Sequence, residues 1–553
     1  MSKGLAFSAK RWSPISGFTR RGAIGAAAAA AVAPRALAAA AGPVRPTWHS
    51  LAGAFRAPEW FRDAKFGIWA HWGPQCQPEA GDWYGRLMYV QGHRLYDHHL
   101  RHYGHPSRTG FIDIIGQWKA EAWEPERLLD LYRKAGARYF VALANHHDNF
   151  DNFASAHHGW NSVRVGPKRD LIGGWAKAAR RAGLRFGVSN HSSHAWHWWQ
   201  TAYGYDAEGP MRGARYDAFR LRRRDGAGQY WAGLDPQDLY TGPAFVPPDG
   251  IDSIKAMDAW HGARDGQWHE ELPAQNPGFA RNWLARQKDL VEKYRPDLVY
   301  FDDTALPFGP VGLEAAAHYY NHSIARHGQL EGVLTGKMLS PAQRGGIVED
   351  VERGYLDAIR PEPWQTDTCI GNWHYDRAIY ERHGYIPAKP VVQRLCDVVS
   401  KNGNLLLSIP VRGNGTIDPD EEKIVADLAR WFGTNGEAIY GTRPWRIYGE
   451  GPTRPKAGMM NEGSVGPFTS ADVRFTTKNG MLHAALMDWP DGKAVLTSLG
   501  TSAMPEARVE HVELLGHGPV EWLRDAQAMA VNLPRPWDGA FVPVLRIHGR
   551  GLA

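Results

Sequence analysis

Residues 137–150 read ARYFVALANHHDNF. Tyr139–Ala144 is an uncharged apolar run that stops on Asn145, His146, His147 and Asp148. Such a run, bounded by polar residues, is the pattern of a strand buried on both faces. The pattern recurs along the chain: Phe66–Ala70 stops on His71-Trp72-Gly73, Arg185–Ser189 on Asn190-His191, and Leu298–Phe301 on Asp302-Asp303. Leu405–Ile409 supplies a fifth run. Between the runs lie helical patterns at Pro125–Ala135, Leu171–Ala182 and Phe279–Tyr294. The last places Phe279, Trp283, Leu290 and Tyr294 close to a 3.6-residue period. Strand and helix in alternation predict parallel α/β architecture. The polar clusters decide which kind, because each sits at the C-terminal end of its run. In a (β/α)8 barrel those ends converge on one face, where active sites are built. A doubly wound sheet would gather them at a single switch point. The expected fold is a (β/α)8-like, TIM-type barrel. Neither GxGxxG nor GxxxxGK[ST] follows any run, which removes dinucleotide and nucleotide binding.

The flanks differ from this centre. Residues 1–41 carry Lys3, Lys10, Arg11, Arg20, Arg21 and Arg35 and no acid. Paired arginines, an Ala-rich stretch and a small-x-small site predict a twin-arginine-type export signal, and hence a periplasmic or secreted protein. The leader also holds all of the net charge of +6, since the remainder balances 58 basic against 58 acidic residues. A nucleic-acid partner is therefore not expected. No apolar run reaches the ~18 residues of a membrane span, so no membrane association is expected once the signal is cleaved. Residues 48–445 form the expected catalytic domain. From 446 to 553 the segments Ala471–Thr477, Met481–Met487, Lys493–Ser498 and Arg508–Leu515 are short, β-rich and turn-separated. They predict a C-terminal antiparallel β-sandwich. The Gly- and Arg-rich stretch Tyr203–Gly250 reads as a long loop or lid whose Arg220, Arg222, Arg223 and Arg224 face solvent or an acidic substrate. Cys76, Cys369 and Cys396 allow one disulfide at most and read as buried thiols.

Chemistry follows from the run ends. A carboxylate such as Asp302, fixed at the end of an apolar strand, suits a nucleophile or base, although an acid there also caps helices. Glu349, Asp350 and Glu352 lie in a Gly-flanked segment fifty residues on. Two carboxylates across one pocket are the minimum for glycoside hydrolysis. Neutral imidazoles bond hydroxyls, and indole faces stack on sugar rings. Trp69, Trp72, Trp83, Trp196, Trp198, Trp199, Trp364 and Trp373 lie in or beside the run ends, some as core and some as pocket. His146, His147, His191, His194 and His197 offer metal donors, but HExxH and the standard zinc spacings are absent, so neither metal nor other cofactor is expected.

These residues carry a resemblance. The pieces WFRDAKFGIWAHWG, DWYGRLMY, ARYFVALANHHDNF, GLRFGVSN, YRPDLVYFDD, PWQTDTCIGNWHY, VVSKNGNLLLSIP and DEEKIVADLARWFGTNGEAIYGTRPW fall in one order over residues 58–446. The chain resembles glycoside hydrolase family 29, the retaining α-L-fucosidases. The resemblance implies Asp302 as nucleophile and Glu352 as acid/base, with Glu349 and Asp350 as alternatives. It implies His71, His146 and His147 as holders of sugar hydroxyls and Trp83 as a pocket aromatic. Asp82, Asn190, His191 and Trp364 complete the expected substrate-binding set. The implied partner is a fucosylated oligosaccharide or polysaccharide. Departures from the family pattern are Asp82 before the Trp-Tyr pair, Ser189-Asn190, Gln365, and no clean match for an arginine, with only Lys337 and Arg344 near it. Asn190, His191 and His194 make the pocket polar, so an L-sugar with a 6-hydroxyl, galactose or glucose, is the alternative substrate. A glycan-binding pseudoenzyme and a His-rich metallohydrolase are the rival classes.

Overall fold

The computed structural model describes residues 42–552, so the expected export signal at 1–41 lies outside the described residues. Eight parallel strands close into a barrel in chain order. They are β1 (Phe66–Ala70), β2 (Tyr139–Asn145), β3 (Arg185–Asn190), β4 (Leu298–Thr304), β5 (Val333–Lys337), β6 (Val348–Asp350), β7 (Trp364–Cys369) and β8 (Gly403–Ser408). The five runs read from sequence are β1–β4 and β8, and the three expected helices form at Pro125–Lys134, Leu171–Arg181 and Gly278–Tyr294. Phe279, Trp283, Leu290 and Tyr294 are all buried, as their period requires.

The strands not expected are β5–β7, and they are polar. Buried polar strands need internal partners. Gln365 on β7 donates its amide to Asp350 (2.7 Å) and accepts from the Tyr139 hydroxyl (2.9 Å). Thr366 bonds the Val351 carbonyl at 2.7 Å, and Asp367 accepts from the Tyr300 hydroxyl at 2.7 Å. Gln365, a departure from the family pattern, is thus a barrel crosslink.

The segment from Tyr203 to Gly250 is a chain of short helical turns pinned by two buried acids. Asp217 accepts from Tyr89 (2.7 Å) and Tyr240 (2.6 Å); Asp206 accepts from Tyr96 (2.7 Å) and Tyr216 (2.8 Å). The arginine cluster serves this segment. Arg220 bonds the Ser107 carbonyl, Arg222 bonds Phe219 and Leu221 carbonyls, and Arg224 is solvent-exposed.

Two antiparallel sheets follow the barrel. The larger is ordered Gly518–Pro519, Arg508–Leu514, Val544–Arg550, Met481–Leu486, Val473–Lys478, Arg443–Glu450; the smaller is Lys493–Leu496, Met529–Asn532, Trp522–Arg524. The strand Arg443–Glu450 starts ahead of residue 446, so the expected division cuts through it. A buried charge triad joins sheet to barrel: Asp397 accepts from Lys401 (2.7 Å) and from Arg474 of the sheet (2.7 Å). Cys76, Cys369 and Cys396 are free and buried, and burial pushes the Cys76 and Cys396 thiols up to about 12.

Behind the barrel mouth, Arg286 is buried with its guanidinium forked onto Asp151 (3.0 and 2.6 Å) and bonded to Asn149 (2.6 Å). This pair fixes the turn that follows His146 and His147. Removing one partner of a buried pair costs about 3–5 kcal/mol. Arg286→Ala is expected to lower unfolding free energy by that amount in chemical denaturation.

Candidate active site

Strand ends bring the polar residues together. His71 follows β1, His146 and His147 follow β2, and His191 follows β3. Asp302 lies near the end of β4, Lys337 ends β5, and Glu352 stands two residues past β6. Side chains alternate along a strand, which separates the neighbours Asp302 and Asp303. Tyr300 and Asp302 face the barrel axis. Phe301 packs on Trp283 (5.7 Å between centroids), and Asp303 is held by Ser193 Oγ (2.8 Å) and His194 (3.0 Å).

Asp302 is gripped on both oxygens. Oδ2 lies 3.1 Å from His191 Nδ1 and 3.4 Å from His147 Nε2, while Oδ1 accepts from Lys337 Nζ. Burial alone would raise this carboxyl, but Lys337 first, then the imidazoles, hold it well below the usual carboxylate range. Lys337 Nζ also donates to Glu352 Oε2. Two oxygens within reach of one nitrogen are at most about 6 Å apart. Of the three acids considered opposite Asp302, only Glu352 shares this cation. Glu349 is spent on Arg344 (2.8 Å), Arg360 and the Leu339 amide (2.9 Å). Asp350 lies inside the barrel on Gln365, where burial and then Asp367 push it far above the carboxylate range. Asp367, beside the same lysine, is pushed up to about 7 by burial and then by Glu352.

The imidazoles that face the cavity beside Asp302 are held toward the neutral form. Burial, followed by neighbouring imidazoles, holds His71 and His146 well below the ordinary histidine range. Burial lowers His191 to about 4 despite Asp302. Burial also works against His194, but Asp303 prevails and raises it. Ring nitrogens of His71, His146 and His191 lie within 4.8 Å of one another, and His71 Nδ1 and His191 Nε2 are buried with no partner. With Nδ1 donating to Asp302, neutral His191 presents a bare, accepting Nε2. Gln75 Nε2 meets His146 Nδ1 at 2.9 Å, which leaves the His146 proton on Nε2 as a donor. Donor and acceptor side by side suit vicinal hydroxyls.

Aromatic rings wall the pocket. Trp69 lies 4.1 Å from His71 and 4.7 Å from Tyr300 between centroids. Trp83 stands on the rim, 38% exposed, with a left-handed backbone (φ 60°) rare for a bulky residue. Its neighbour Asp82 accepts from the Trp373 (3.2 Å) and His374 (2.7 Å) amides, so it shapes the wall instead of presenting a free carboxylate.

Two expected binding residues lie elsewhere. Asn190 points out of the barrel, donating to Gln287 (2.9 Å) and accepting from Trp283 Nε1 (3.2 Å) on the helix Gly278–Tyr294. Trp364 begins β7, at the opposite end of the barrel from the site, with its indole on the Lys401 carbonyl (2.9 Å). Residues given no site role by the sequence reading are Lys337, Asp367, Tyr300, His374 and Trp268, and Trp373, read only as core or pocket, proves to be pocket. Trp268, 44% exposed, covers His194 at 3.8 Å between centroids and comes from the long β3–β4 connection, which has no strand pattern to flag it.

Among the described residues, three donor sets could hold a metal: His71/His146/His191, His147/His191/Asp302 and His194/Glu270/Asp303. The second would spend the Asp302 carboxylate as a ligand.

Paired carboxylates at the mouth of a (β/α)8 barrel, bordered by indoles and neutral imidazoles, define a glycoside hydrolase. The comparisons narrow this. A family model described as Alpha-L-fucosidase matches residues 31–437, and one described as Alpha-L-fucosidase C-terminal domain matches 467–548. The chain belongs to the alpha-L-fucosidase family. It is 26% identical to tissue alpha-L-fucosidase of Rattus norvegicus, covering 90% of each chain, and 25% identical to that of Homo sapiens, covering 89% and 88%. It superposes on the alpha-fucosidase of Thermotoga maritima with a TM-score of 0.65 at 23% identity, over 91% of this chain and 99% of that one. For alpha-L-fucosidase isoenzyme 1 from Paenibacillus thiaminolyticus the TM-score is 0.59 at 19% identity, over 89% and 98%.

Lys337→Met removes the cation that keeps Asp302 ionised. The Asp302 pKa then rises, so the acid limb of the kcat/KM profile is expected to move to higher pH. Loss of such an electrostatic contact costs roughly 10²-fold in rate, measurable at neutral pH.

Proposed function

We propose that this protein is a retaining exo-α-L-fucosidase in which Asp302 is the nucleophile and Glu352 the acid/base. The observation that carries the reading is Lys337, bonded to both carboxyls at once. That contact brings one oxygen of each carboxyl to within about 6 Å of the other, which supports the about 5–5.5 Å spacing of retaining enzymes over the about 6.5–9.5 Å that an inverting water requires. Asp302 attacks the anomeric carbon while Glu352 gives its proton to the leaving oxygen. Glu352, now a carboxylate, takes a proton from water, which releases the sugar from Asp302 with configuration retained. His71, His146 and His191 hold hydroxyls, Trp69 and Trp83 flank the ring, and His147 steadies Asp302. The substrate is a glycan with a terminal α-L-fucosyl residue.

The polar case for a 6-hydroxylated sugar weakens once Asn190 is turned to the helix and His194 is spent on Asp303. Fucose is the better fit. We also propose that residues 1–41 direct twin-arginine export to the periplasm or beyond.

Nitrophenyl α-L-fucoside, α-L-galactoside and α-L-glucoside, with the product anomer followed by NMR and a chelator control, test the substrate. Fastest release from the fucoside, retained configuration and indifference to chelation are expected. Activity lost on chelation would point to a metallohydrolase, and binding without turnover to a pseudoenzyme. Asp302→Ala is expected to lose at least ~10⁴-fold, consistent with loss of a nucleophile, and added azide should then yield the inverted glycosyl azide. For export, Arg20→Lys with Arg21→Lys should leave the protein uncleaved in the cytoplasm; normal processing would refute the signal.

A further inference from the structure

Glu352 lies on no strand. Residues 351–354 are held on one side by β7, where the Val351 amide donates to the Gln365 carbonyl (2.8 Å) and the Arg353 amide to Asp367 (3.0 Å). On the other side they meet residues 458–462, part of the 438–466 span that neither family model covers. The Met460 amide donates to the Glu352 carbonyl at 2.8 Å. The amides of Asn461 (3.1 Å) and Glu462 (3.0 Å) converge on the Arg353 carbonyl, and Tyr355 and Gly458 bond each other in both directions. A Cβ on Gly354 would fall 2.1 Å from the Gly458 carbonyl oxygen, so this close approach requires glycine.

One carboxylate ties the junction together. Glu462 accepts from the Arg353 and Arg394 guanidiniums and from the Thr368 hydroxyl (2.7 Å). Burial would raise its carboxyl, but Arg394 and then Arg353 outweigh burial and hold it below its ordinary value. Arg353, directly after Glu352, has a left-handed backbone (φ 44°), which a non-glycine residue keeps only where its surroundings enforce it.

We propose that Glu462 is a positioning residue for the acid/base: by clamping Arg353 it fixes where the Glu352 carboxyl stands relative to Asp302 and the leaving oxygen. The inference rests on Glu352 being the acid/base. A clasp that merely joined the sheets to the barrel would lower stability without regard to the leaving group. A misplaced acid hurts those leaving groups that need a proton.

The test compares methyl α-L-fucoside, which needs protonation, with 2,4-dinitrophenyl α-L-fucoside, which does not, in wild type, Glu462→Gln and Glu352→Ala. Displaced general acid–base catalysis costs part of its ~10²–10⁴-fold. For Glu462→Gln, kcat/KM is therefore expected to fall about 10- to 100-fold on the methyl glycoside and less than about 3-fold on the activated one. Azide, which needs no base, should raise kcat of the variant on the activated substrate. Equal losses on both substrates, or none, alongside a clear split for Glu352→Ala would overturn the inference. If Glu352→Ala itself shows no split, the acid/base reading falls first. Should Glu462→Gln not fold, Arg353→Lys carries the same comparison, keeping charge but losing the planar fork.

Discussion

Lys337 stands between two carboxylates at the mouth of the barrel, bonded to both, with Asp350 and Asp367 close behind. One ammonium cannot neutralise four acids in a buried place, so protons stay in the cluster, and Asp350 and Asp367 are the groups pushed up to hold them. Asp302 is the group held ionised. In the double displacement proposed above, charge leaves Asp302 when the glycosyl ester forms and appears on Glu352 as it gives up its proton. Lys337 therefore faces one anion at every stage. The charge moves from one of its contacts to the other with little rearrangement, which is the low reorganisation cost that preorganised sites exploit.

His71, His146 and His191 complement that arrangement by staying neutral. Buried imidazoles kept neutral can donate at one nitrogen and accept at the other. Their tautomers are set by what lies behind them, Gln75 for His146 and Asp302 for His191. Barrel strands supply the first layer of this support and the long β3–β4 connection supplies part of the rim. The segment 458–462 adds a third layer at Glu352.

How much of this could be read from the sequence depended on polarity and on strand phase. β1–β4 and β8 are apolar runs and stood out; β5–β7 are short or rich in Thr, Gln and Asp, and their burial rests on partners distant in sequence. Asp302, His71, His146, His147 and His191 stand at strand ends that converge on one face, so their meeting was legible, while the roles expected of them came from the resemblance. Asn190 was misread because the period of two was not carried past the strand: Ser189 bonds Trp69 within the barrel and His191 reaches Asp302, which turns the residue between them outward. Trp364 was misread because it starts its strand and so lies at the far end. Lys337 stood only near the place of the missing arginine, and it enters the site because β5 ends there. The clasp at Glu462 could not be found at all, since it is a contact across 109 residues.

The three thiols are buried, separate and, at Cys76 and Cys396, shifted toward the protonated form. Thiolate is the species that exchanges with disulfides. Buried ion pairs such as Asp397 with Lys401 and Arg474 join the sheet to the barrel where no disulfide does. The folded structure thus rests on no disulfide. Folding among reductants therefore leaves no bond to make and no wrong pairing to undo.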